Sequence, residues 1–212
     1  YEYYASTEGG VTLVNSEDWL KHPGTVGRPW PTADIKIFDD QGHEKPAGEQ
    51  GTIYMLMSEL SRFEYKGDKK KTEKDRFGDY FTAGDIGYLN DQGFLFLCDR
   101  KIDMIISGGV NIYPAEIENI LITHPSVADC SVFGIPNDEW GEEVKAAVQL
   151  IPAVQQSSLL HDDILAHCAE RLAKMKLPKS IDYMEVLPRD PNGKLYKRKL
   201  RDPYWAGRDR QV

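Results

Sequence analysis

Cysteine is scarce in this chain. Three residues, Cys98, Cys130 and Cys168, in 212 are too few and too scattered for a disulfide framework or a metal site, and they fit a reducing compartment. Long apolar runs are missing as well: nothing approaches transmembrane length, and no signal peptide is expected. The expected setting is therefore cytoplasmic. Basic charge is in deficit, with 26 Lys and Arg against 34 Asp and Glu, and the net −8 argues against a general nucleic-acid binder. An initiator Met is also absent, and aromatic residues run straight into Thr7-Glu8-Gly9-Gly10. The chain reads as starting in the middle of a fold.

What is present is globular: 41% hydrophobic and 28% charged residues, long enough for one large domain or two small ones. Charge is unevenly spread. Residues 188–212 hold eight Lys or Arg and three Asp, a net +5, which leaves about −13 on the rest. Such a tail suits a local anion such as a nucleotide phosphate, although a solvated tail has the same composition.

The stretch D-R-K-I-D-M-I-I-S-G-G-V-N-I-Y-P-A-E-I-E, residues 99–118, organises the chain. It predicts a charged turn, a short apolar strand at Met104–Ile106, a Ser107-Gly108-Gly109 bend and a helix beginning near Pro114. Proline at a first helical position is pre-organised, and Glu116 and Glu118 place negative charge against the helix's positive end. Upstream, Ile35, Ile37, Ile53 and Met55 alternate as in two paired strands, and residues 79–99 read as a hairpin turning at Asn90-Asp91-Gln92-Gly93. Lys69-Lys70-Lys71 reads as a solvated loop. Downstream, strands are expected at Val127–Ile135, Val144–Ile151 and Ile181–Leu187. A helix is expected over 158–176 with the stripe Leu160, Ile164, Leu165, Cys168, Leu172 and Met175.

Taken one at a time, the chemical signals are modest. Thr7 offers a hydroxyl and Glu8 a hard carboxylate, a pairing suited to phosphate and Mg²⁺ or to an ordinary turn. Asp85, at the end of an aromatic strand, fits a sugar diol or a turn. Trp140 in a polar turn fits a ligand contact or a cap on the core. Lys194, at a Pro/Asn/Gly loop tip, is a mobile point charge or a surface lysine.

In order, Y-Y-A-S-T-E, Y-F-T-A-G-D, the 99–118 stretch and P-R-D-P-N-G-K resemble the adenylate-forming enzymes, specifically AMP-forming acyl-CoA synthetases. The resemblance covers essentially all 212 residues. It implies that Tyr4 stacks on adenine, Thr7 holds the α-phosphate and Glu8 holds Mg²⁺. It gives Asp85 and Arg100 to the ribose hydroxyls, and Lys194 to the attacking carboxylate and α-phosphate. Ser107, Gly108 and Gly109 would line the pantetheine tunnel, and Trp140 would touch coenzyme A. The implied reaction joins a carboxylic acid to AMP from ATP, then passes the acyl group to the coenzyme A thiol, with the small domain rotating between the two steps.

The fold class expected is α+β. Residues 1–99 would be the strand-rich end of a large AMP-binding domain, and residues 100–212 a small mobile domain with a three-stranded sheet flanked by helices, hinged near 99–103. Three departures from the family pattern stand out: Asp99 where glycine is frequent, the apolar Ile102 at the hinge, and Ala83 where threonine is frequent. The upstream phosphate loop and acyl pocket are not found, so the fragment alone is expected to be inactive. Loading of a carrier protein is the alternative acceptor, and a non-catalytic module of the same fold is the alternative class.

Overall fold

The computed structural model describes residues 1–6, 9–57 and 63–208. The chain divides into two compact units, Tyr1–Lys101 and Ile102–Val212.

The first unit is built on one sheet of nine strands: β1 (Glu2–Ser6), β2 (Gly9–Val14), β3 (Thr25–Pro29), β4 (Ile35–Phe38), β5 (Gly51–Leu56), β6 (Arg76–Phe77), β7 (Tyr80–Phe81), β8 (Asp85–Leu89) and β9 (Leu95–Arg100). They lie in the order β1-β2-β3-β9-β8-β5-β7-β6, with β4 also on β5. The alternating apolar residues meet as expected, Ile35 opposite Met55 and Ile37 opposite Ile53. All four are buried in one core with Phe81 and Leu95. The β8–β9 turn is closed by Asn90, whose backbone N–H donates to the Phe94 carbonyl and whose side chain accepts from the Gln92 and Phe94 amides.

Two short helices complete this unit, α1 (Ser16–Lys21), capped by Asn15, and α2 (Lys69–Lys74). The second corrects the expected solvated loop. The charge run has no apolar period, but the Thr72 hydroxyl is buried and donates to the Asp68 carbonyl while accepting from the Tyr65 amide. That contact winds the segment into a turn of helix.

The second unit contains β10 (Ile105–Ser107), β11 (Val110–Ile112), α3 (Pro114–Leu121), β12 (Val127–Asn137), β13 (Gly141–Leu150), α4 (Ser158–Ala169), β14 (Ser180–Tyr183) and α5 (Lys197–Arg201). Its sheet has five strands where three were expected. Three of them, β12, β13 and β14, form the body, β12 antiparallel and β14 parallel to β13. The other two are the β10–β11 hairpin, hooked on through the single pairing of Ser107 with Gly141.

Helices α3 and α4 cover this sheet. Ile117, Leu121, Ile164 and Cys168 pack on Val132, Val144, Ala146 and Val148. Each of the Ile, Leu and Val side chains contributes about 1.5–3 kcal/mol by leaving water. Helix α4 stops at Ala169, short of the expected residue 176. The stripe continues only as far as Leu172, because Ala173 is extended (ψ 145°) and leads into a 3₁₀ turn at Lys174–Lys176 that leaves Met175 exposed. The expected strand to Leu187 is likewise shorter, since β14 ends at Tyr183. Among the described residues no helix is long and apolar enough to cross a membrane.

Candidate functional site

In the first unit, three residues distant in sequence meet on one carboxylate. Asp85 opens β8 and sits opposite Arg100 of β9 in register. Its Oδ1 accepts from Arg100 Nε at 3.2 Å, and its Oδ2 accepts from the Tyr4 hydroxyl at 2.5 Å. Gly84 sets the approach: its φ is +83°, its N–H donates to the Thr82 hydroxyl and its carbonyl accepts from the Lys101 amide. Asp85 is mostly buried, while Arg100 is half exposed. An ionised carboxylate has about four acceptor positions, so two remain for outside donors. Two free acceptor positions fit a vicinal diol. Thr7 and Glu8, expected beside this cluster, lie outside the described residues.

In the second unit, Ser107 ends β10 opposite Val110 of β11, and Gly108-Gly109 forms the two-residue turn between them. Gly108 and Gly109 have φ of +57° and +79°, values that a primed hairpin turn requires at both central positions. Gly108 N–H donates to the Trp140 carbonyl at 2.8 Å. A Cβ on Gly108 would sit 2.5 Å from Trp140 Cε3, so only glycine lets the indole lie against this turn. Trp140 is held at the β12–β13 turn by its backbone N–H, which donates to Asn137 Oδ1, and the residue is 54% exposed.

Beside this indole lies a cleft of about 330 Å³ lined by Ile106, Trp140, Gly141, Glu142, Trp205 and Arg208. Sequence reading missed Trp205 and Arg208; the basic tail was the only hint. Trp205 is fixed by its ring N–H, which donates to the Gly134 carbonyl, and Arg208 by its bond to Asp138.

Lys194 stands at an exposed loop tip, and among the described residues no hydrogen bond or ion pair holds its ammonium. Its backbone is held closely, with its N–H donating to the Asp190 carboxylate at 2.8 Å and its carbonyl accepting from the Asp190 amide. Glu118 does not act mainly on the α3 terminus as expected. Its Oε1 accepts from the Val132 amide at 2.7 Å and from Lys197 at 2.8 Å, tying α5 and β12 to α3. Glu116 stands in the first turn of α3 as expected and also pairs with Lys176. Behind the sheet, Lys145 is buried; burial alone would lower its pKa, but the Asp182 hydrogen bond and charge, with Tyr204, raise it overall. Among the described residues no group of three or more His, Cys, Asp or Glu side chains gathers as a metal site.

Comparison with known proteins agrees with these motifs. Residues 116–194 match the AMP-binding enzyme C-terminal domain. The long-chain-fatty-acid–CoA ligase FadD13 of Mycobacterium tuberculosis is 39% identical over 206 residues, covering 96% of this chain and 40% of the relative. The fatty acid–[acyl-carrier-protein] ligase ScoC of Streptomyces coeruleorubidus is 36% identical, over 100% of this chain and 41% of its own length. Among solved structures, the o-succinylbenzoate CoA synthetase of Bacillus subtilis in complex with its acyl-adenylate intermediate superposes with a TM-score of 0.79. It is 34% identical and matches over 88% of this chain and 37% of its own. The chain thus spans about two fifths of the length of the relatives it matches. With its ordered motifs and the matching C-terminal domain, the chain belongs to the AMP-binding, adenylate-forming family of enzymes.

Proposed function

We propose that this chain is the C-terminal part of an acid–CoA ligase that activates a carboxylic acid, a fatty acid in our reading, as its adenylate and then forms a coenzyme A thioester. The observation that carries the reading is the convergence of Tyr4, Asp85 and Arg100 on one carboxylate with acceptor capacity to spare. A ribose diol donates two hydrogen bonds, and Asp85 takes both while Arg100 aims the carboxylate. Tyr4, pinned through its hydroxyl, offers its ring to the adenine.

A carboxylate attacking a phosphate brings two anions together, so positive charge is needed where negative charge accumulates. Lys194 supplies it, and the absence of a partner for its ammonium among the described residues leaves it available for that task. Glu8 is the residue assigned to Mg²⁺, which would neutralise phosphate charge when bound. In the second step Gly108 and Gly109 let the thiol arm pass close to the backbone, with Trp140 alongside. Residues 1–99 belong in this reading to the large domain and residues 100–212 to the mobile one, in the reducing, cytoplasmic setting that a chain with only three scattered cysteines fits.

The test uses the whole protein that carries this chain. Lys194→Ala should slow carboxylate-dependent ATP–pyrophosphate exchange by roughly 10²-fold or more, the scale of a lost transition-state charge contact. Thioester formation from supplied acyl-adenylate should survive; an equal fall in both half-reactions would refute the assignment. A second reading, transfer to a carrier protein, is favoured by the likeness to ScoC, whose name gives an acyl-carrier protein as acceptor. Adenylate formation without a thioester on free coenzyme A would select it.

A further inference from the structure

The ammonium of Lys194 has no partner among the described residues, so its direction must be set through its backbone. That backbone is clamped at both edges of a single peptide plane. The plane joining Gly193 to Lys194 carries the Gly193 carbonyl on one edge and the Lys194 N–H on the other, and it turns as one rigid body. The N–H donates to Asp190 Oδ1 at 2.8 Å. The carbonyl accepts from Arg189 Nη1 at 2.7 Å.

The two clamps differ in what they hold. Asp190 belongs to the loop itself: the same carboxylate oxygen accepts from the Asn192 amide, the Gly193 amide donates to the Asp190 carbonyl, and Arg189 bridges to Leu195. These contacts fix the loop's internal shape, including the φ of +86° at Gly193. Leu187 and Leu195 pack the two ends of the loop against Phe133 and Ala147, but these contacts do not tie its tip to the sheet. Arg189 reaches outside the loop, because its Nη2 donates to Asp129 Oδ2 of β12 at 2.5 Å. Asp129 is itself aimed by the irregularity in β12 between Val127 and Asp129, and its other oxygen accepts from the Cys130 amide at 2.9 Å. A guanidinium is a planar fork, so holding one prong on the sheet fixes the direction of the other, which a lysine's single ammonium does not do.

We propose that Arg189, anchored by Asp129, is a positioning residue that aims Lys194 for adenylate formation. The proposal rests on the role given above to Lys194. Without the fork the loop keeps its shape but swings, and the ammonium spends less time where the α-phosphate charge develops.

Arg189→Gln in the whole protein should lower the rate of pyrophosphate exchange by about 10-fold at saturating ATP, since displacements on the order of 1 Å cost up to about 10²-fold. The KM for ATP and thioester formation from supplied adenylate should stay unchanged. Arg189→Lys should resemble Arg189→Gln, because charge without the fork does not bridge both partners. Asp129→Asn should fall between wild type and Arg189→Gln. Amide exchange at Lys194 should quicken in the variant while β12–β13 amides stay protected.

The decisive measurement is the double variant. A residue that acts through Lys194 adds nothing once that side chain is gone, so Arg189→Gln with Lys194→Ala should be no slower than Lys194→Ala alone. A further loss in the double variant, full rescue by Arg189→Lys, or an equal fall in both half-reactions overturns the proposal. So does an unchanged exchange rate in Arg189→Gln while Lys194→Ala is crippled, with the role of Lys194 left standing. An unimpaired Lys194→Ala removes that role, and the proposal with it.

Discussion

Glu118→Gln isolates the charge in the contact that ties α5 to α3. The carboxylate oxygen accepts from the Val132 amide at 2.7 Å and from Lys197 at 2.8 Å, with side-chain exposures of 21% for Glu118 and 15% for Lys197. Glutamine keeps an acceptor for Val132 but leaves Lys197 without its counter-ion. Removing one partner of a fully buried pair costs about 3–5 kcal/mol, and the remaining solvent contact reduces the expected cost here to about 2 kcal/mol. Glu118→Ala, which also orphans the Val132 amide, should cost about 1 kcal/mol more. Urea denaturation gives the total, and native-state amide exchange at Val132 and Leu200 locates the loss. Lys197→Met and the double variant complete a cycle, and the coupling with Glu118→Gln should be about 1–2 kcal/mol. A cost for Glu118→Gln below about 0.5 kcal/mol, or additive single effects, would refute the view that this pair fixes α5.

Three further outcomes follow from geometry already described. Gly108→Ala meets both a φ of +57° and the Trp140 ring, so it should cost about 1–2 kcal/mol and shift tryptophan emission as the indole moves. In the whole protein it should slow thioester formation and spare adenylate formation; unchanged emission would refute the contact. Asp85→Ala removes the shared acceptor of Tyr4 and Arg100 and should weaken ATP binding by about 10-fold to 100-fold in calorimetry, with unchanged affinity as the contrary result. Burial, then the charges of Glu118 and Asp129, pushes the Cys130 thiol from 9.0 to about 12. The folded chain therefore holds this proton more tightly than the unfolded one, so stability is full below pH 9 and declines as pH rises from about 9 towards 12. Cys130→Ala should flatten that decline, and at pH 8 a thiol reagent should label Cys98 well before Cys130 or Cys168; early labelling of Cys130 would contradict its burial.

Local chemistry made much of the fold legible. The alternation of Ile35, Ile37, Ile53 and Met55, the Asn90–Gly93 turn and the start of α3 at Pro114 each follow from a few neighbouring residues, and each stands in the structure. What escaped depends on partners remote in sequence. Helix α4 ends early because Ala173 is extended while Leu172 still packs, so periodicity ran on past the last helical turn. Glu118 looked like a helix-terminus charge because Lys197, its partner, lies far down the chain. The meeting of Tyr4 with Asp85 has no local signature at all, since the two are 81 residues apart. Only the family resemblance placed them together. Trp205 and Arg208, which line the cleft beside Trp140, escaped for the same reason.

The parallel pairing of β13 with β14 has a bearing on how the second unit is made. Antiparallel β12 and β13 join through a tight turn, whereas β14 reaches its partner only after about 30 residues containing α4 have been laid across the sheet. Non-local closure of that kind is slow and comes late in folding. The Lys194 loop follows β14 in the chain, so the polypeptide would finish that loop last, when the β12 strand to which Arg189 ties it is already in place.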